Sequence, residues 1–83
     1  MTKPMDTYNH YVEQEDTFYQ QLETLEQCQV AVFDHIFRYG ERFNKAMAWE
    51  VLRSVHQLEV SVRLELLQLR LDKAFLAYDM KHS

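Results

Sequence analysis

The sequence predicts an all-α protein: a long antiparallel helical hairpin, assembled into a helical bundle. Three observations predict it. Two stretches of similar length carry apolar residues at alternating spacings of four and three, the period of one helical face. Glycine and proline occur once each, too few to punctuate the several short strands of a sheet protein. Finally, apolar residues at 58, 60, 62, 64, 66, 67, 69 and 71 exceed what one helix face holds, and the excess requires a partner.

The first helix is expected over about residues 7–39, with Asp6 or Thr7 as its cap and Pro4 lying before the periodic pattern. Its seam runs through Tyr8, Tyr11, Glu15, Phe18, Leu22, Leu25, Gln29, Val32, Ile36 and Tyr39, with Glu15 and Gln29 as polar interruptions. Val12, Tyr19 and Phe33 lie beside that seam and are expected to widen the buried stripe beyond a strict coiled-coil line. At 1.5 Å per residue such a helix is roughly 50 Å long, so a second element of matching length must lie along it.

Residues 40–44 form the expected turn. Gly40 can take the left-handed conformation just past a helix end, with Arg38 in the last turn facing the negative end of the dipole. Asn44 is then placed to cap the next helix, and Phe43 to pack back onto Ala48 as a hydrophobic staple.

The second helix is expected over about residues 45–80. Its seam is Ala48, Leu52, Val55, Glu59, Val62, Leu66, Leu69, Lys73, Leu76 and Met80. On nearly the opposite side lie Val60, Leu64, Leu67, Leu71, Phe75 and Tyr78, the expected partner-binding residues. Arg63 and Arg70 border this second face, and together with Glu59 and Lys73 they are candidates for fixing register or partner choice. The segment Leu58 to Leu66 also alternates strictly and fits a strand, which would have to pair between molecules because no second segment offers a clean partner. Its Leu, Glu and Arg residues favour helix, and burial on two sides explains the alternation.

Eighty-three residues make a single domain, 1–83, with a thin core, and helix association is the simplest way to thicken it. Cys28 is the only cysteine, so no intrachain disulfide forms. The start, Met1 to Asp6, has no apolar leader, and no stretch is apolar enough to span a membrane; the expected location is the cytoplasm, with no membrane partner. Charge is uneven: residues 1–37 hold seven acidic side chains against Lys3 alone, whereas residues 38–83 hold eight basic and six acidic ones. The halves are complementary, and the overall charge of −4 disfavours a nucleic-acid partner.

Chemistry is sparsely represented. Asp34, His35, His56 and Glu59 are the best metal-type residues, but the Glu-x-x-His pairs of a carboxylate-bridged bundle are missing and only the reversed His56-x-x-Glu59 is present, so neither metal nor cofactor is expected. Cys28 has no local histidine to activate it and reads as a packing thiol. Arg38, Arg42 and Arg53 could gather near the turn of a dimer and bind an anionic metabolite, the one enzymatic alternative. No catalytic residue is assigned. The leading expectation is a small adaptor or chaperone-like subunit that binds protein through an apolar helical face, as homodimer or heteromer; the alternative is a purely structural homo-oligomer.

Overall fold

The computed structural model describes residues 3–82, and these form two long helices joined by a tight corner. Helix α1 spans Pro4–Tyr39, a single 3-10 turn spans Gly40–Arg42, and helix α2 spans Lys45–His82. The helices lie antiparallel, making a rod of 62 × 19 × 16 Å. Its radius of gyration is 18.6 Å, against about 12 Å for a compact globule of this length. Residues 58–66, whose alternation also fits a strand, are continuous helix within α2, the reading that their helix-favouring residues support.

Helix α1 begins earlier than its seam suggests. Pro4 is its first residue, not an element outside it, because a first-turn residue needs no N–H and the pyrrolidine ring presets the helical φ. Neither Asp6 nor Thr7 is the cap. Lys3 occupies that position without a side-chain bond, and its carbonyl accepts the N–H groups of Asp6 (3.0 Å) and Thr7 (3.2 Å). Asp6 still lies in the first turn, where its charge complements the helix dipole.

The corner departs from the expected left-handed glycine. Gly40 has φ −56° and ψ −31°, a right-handed conformation open to any residue, and starts the 3-10 turn. The change of direction falls instead on Phe43, whose extended backbone (φ −95°, ψ 132°) follows a bond from its N–H to the Gly40 carbonyl. Asn44 caps α2 as anticipated: its Oδ1 accepts the Met47 N–H at 3.0 Å, and its carbonyl accepts the Ala48 N–H at 2.9 Å. The Phe43 ring meets His35 edge-on with centroids 5.0 Å apart, and the Tyr39 ring lies tilted at 5.0 Å from the same imidazole. Tyr39, the last residue of the expected seam, is exposed because α1 ends there.

Among the described residues only Ala48, Leu66 and Leu69 are buried. The remaining seam residues of both helices, from Tyr8 to Ile36 and from Leu52 to Met80, are half-buried. Two helices cover each other along one narrow stripe, and this geometry corrects the expectation that Val12, Tyr19 and Phe33 share in the buried face. All three are exposed.

Candidate protein-interaction surface

The polar interruptions of the two seams find one another. Lys73 Nζ donates to Glu15 Oε1, and Gln29 Nε2 donates to Glu59 Oε1, both across the hairpin. A step from Glu15 to Gln29 on α1 equals the step back from Lys73 to Glu59 on α2, so both pairs belong to one antiparallel register. The Lys73 ammonium also lies 5.8 Å from the Tyr8 ring centroid. The hydrogen bond to the Glu15 carboxylate, outweighing desolvation, holds the Lys73 pKa above its ordinary 10.5. Glu59 has a second partner, Arg63, at 3.6 Å, and its side chain is only 13% exposed. Glu59 and Lys73 therefore sit inside the hairpin, whereas Arg63 stands at its edge.

Opposite this seam, α2 presents Val60, Leu64, Leu67, Leu71, Phe75 and Tyr78, all exposed. Leu64 is 61% and Leu67 62% exposed, although both belong to a helix whose other side holds the buried Leu66 and Leu69. The contrast follows from geometry: successive residues turn by about 100°, so Leu66 and Leu67 cannot share a two-helix seam. Ala74, Phe75 and Tyr78 form a shallow apolar notch near the open end, and the Tyr78 ring packs on His82 with centroids 4.3 Å apart. One border of the face carries Arg63 and Arg70; the other carries Gln68, whose Nε2 donates to Asp72 Oδ1 at 3.0 Å. Val60, Leu64, Leu67, Leu71, Phe75 and Tyr78 thus make a continuous exposed apolar row along α2.

A second exposed surface was not singled out from the sequence. Val30, Phe33 and Phe37 line the outer side of α1 near the turn, with Trp49 across from them on α2. Phe37 is 90% exposed, the most exposed large apolar side chain described. Phe33 and Trp49 share a groove with Leu52, Arg53 and His56. The signal was present: 30, 33 and 37 repeat the three-four spacing one position along from the main seam, a pattern readable only as widening of that seam until the seam proved narrow.

The candidate chemical groups are engaged elsewhere or apart. Asp34 pairs with Arg38 at 3.2 Å, Glu50 with Arg53 at 3.3 Å, and His35 contacts the Tyr39 and Phe43 rings. Two of the three arginines proposed to bind an anionic metabolite are thus already matched to carboxylates on their own helices. Cys28 is exposed, which corrects the reading of a packing thiol. Among the described residues no three or more His, Cys, Asp or Glu gather closely enough to hold a metal ion, and no helix is long and apolar enough to cross a membrane. Compared with protein-family models, curated proteins and solved structures, the chain matches none of them.

Proposed function

We propose that this chain is a protein–protein interaction module, an adaptor or chaperone-like subunit whose outer α2 face docks an amphipathic helix. One observation carries the reading: the exposed row Val60, Leu64, Leu67, Leu71, Phe75 and Tyr78 on a hairpin in which only three of the described side chains are buried. A helix laid along this row would bury its own apolar stripe there, the usual helix-in-groove mode. Leu64, Leu67 and Leu71 supply the desolvated centre, while Arg63 and Arg70 act on orientation more than on affinity. Glu59 and Lys73 serve the same end indirectly, by holding the hairpin in the register that keeps the row outward. The exposed single Cys28 fits a reducing compartment, and we place the protein in the cytoplasm on that ground.

The experiment compares native masses of complexes formed by the tagged full chain in its own cells with those formed by Leu67→Asp. Loss of the bound protein, whether an unlike chain or a second copy, with helix content preserved, is the expected result. Complexes that survive Leu67→Asp unchanged would refute the assignment of this face.

A further inference from the structure

We infer that the outer α2 face is occupied by a second copy of this chain, with α2 lying antiparallel against α2 about a twofold axis that crosses the rod at the level of Leu69. The inference rests on the interaction-module reading and names its partner.

The chain has surface to spare for such a contact. It exposes 6946 Å², whereas a compact monomer of 10.1 kDa exposes about 5,300 Å². Each partner of a standard interface contributes about 800 Å², half of that excess.

Polarity decides which helix lies inside. On α1 the side opposite the seam carries Glu13, Asp16, Gln20, Glu23 and Gln27, all exposed, so α1 keeps water on its outer side. On α2 the corresponding side carries Val60, Leu64, Leu67, Leu71, Ala74 and Tyr78, also exposed. Apolar on two opposite sides, α2 is the helix built to be covered twice, by α1 within the hairpin and by a second helix outside it.

The extent of the apolar row sets the direction of that second helix. Towards the turn the same side of α2 continues as Gln57, Arg53 and Glu50, all exposed. A twofold axis along the rod would lay the two α2 helices parallel and in register, placing Arg53 against Arg53 and Glu50 against Glu50. A twofold axis across the rod lays them antiparallel, and at the level of Leu69, midway between Val60 and Tyr78, it superimposes the apolar rows. Glu50 and Arg53 then fall beyond the copy's α2, which ends at His82, and stay in water. The row is apolar where the two helices overlap and polar where they do not.

Facing side chains complement one another in size. Val60 faces Tyr78 of the copy, Leu64 faces Ala74, and Leu67 faces Leu71, each contact occurring twice because the interface is isologous. On one border Phe75 covers Ser61 of the copy, and Gln68 meets Gln68 across the axis. On the other border Arg63 passes Ala77, and Arg70 is the charge that meets its own copy. Arg70 is exposed and has no ion pair among the described residues. Its repulsion acts through solvent at the edge of the groove, where it is weak beside the burial of the row. Charge at this position therefore reports the register.

The test mixes the full wild-type chain with R70E and reads sedimentation equilibrium and native mass, with helix content recorded on the same samples. Each chain alone meets like charge at the axis and is expected to dimerise. Mixed, they set base against acid there, so subunit exchange is expected to shift on the order of tenfold towards the 1:1 heterodimer. Added salt should tighten the wild-type dimer and erode the heterodimer preference. Exchange in statistical proportions would overturn the antiparallel pairing, because a parallel pair of α2 helices does not bring residue 70 against itself. A wild type that is monomeric alone yet loses an unlike partner on Leu67→Asp would overturn only this inference and leave the interaction-module reading standing. Dimers that survive Leu67→Asp unchanged would overturn both.

Discussion

Truncating Leu67 and Leu69 separately distinguishes the two faces of α2 by the size and concentration dependence of the loss. Leu69 is 7% exposed in the hairpin, so Leu69→Ala removes a buried side chain. Leu-to-Ala changes in cores cost about 2–5 kcal/mol, and a seam open to solvent on both sides collapses readily, placing this one near ~2–3 kcal/mol. Leu67 is 62% exposed, so the single hairpin covers only the remainder. Scaling the ~1.5–3 kcal/mol of full leucine burial by that remainder gives about 0.6–1 kcal/mol for Leu67→Ala in an isolated chain. Assembly changes the second figure alone, because docking a helix on the outer face buries Leu67 and raises its cost towards that of Leu69. Urea melts followed by circular dichroism across a dilution series measure both. The Leu69→Ala deficit should stay nearly constant, while the Leu67→Ala deficit should grow with protein concentration. Equal losses at the highest dilution would refute the assignment of faces.

Three further outcomes follow from the corner and the seam. Gly40 holds a right-handed backbone, and a Cβ there would meet only Ile36 Cγ2 at an ordinary 3.7 Å, so Gly40→Ala should stabilise the hairpin by roughly 0.4–1 kcal/mol in thermal melts. Asn44→Ala removes the bond to the Met47 N–H and should cost about 1 kcal/mol, with amide exchange accelerated in the first turn of α2. The Lys73 pKa is raised in the folded chain, so the Glu15 contact stabilises fully below the unfolded value and is lost as pH rises through the folded one. The difference in Tm between wild type and Lys73→Gln should therefore be largest below about pH 10 and vanish at strongly alkaline pH; a difference that persists there would show that Lys73 acts through packing.

The hairpin was legible because seam and cap use signals of short range. Four-three spacing locates Leu22, Leu52 or Leu66 from sequence alone, and Asn44 carries its capping oxygen wherever the chain goes. Gly40 misled because glycine permits a left-handed turn without requiring one, and here a 3-10 turn relieves the helix end instead. Pro4 reads as outside α1 because it lies before the apolar pattern begins, although a proline in the first turn of a helix needs no N–H. Glu15 and Lys73 were visible as interruptions, but their pairing depends on the antiparallel register, which no local pattern states. The surface at Val30, Phe33, Phe37 and Trp49 was obscured for a related reason: spacing shows that residues share a face, and only the packed hairpin shows how narrow the covered part of that face is.

Sedimentation equilibrium of the full wild-type chain beside Leu67→Asp, with helix content recorded on the same samples, tests the central claim most directly. The account predicts a wild-type species of twice 10.1 kDa that dissociates on dilution, and a Leu67→Asp chain that remains helical at the single-chain mass. A Leu67→Asp chain that assembles as wild type does would contradict it, and a wild-type chain that stays at 10.1 kDa at every concentration would exclude a second copy as the occupant of the face.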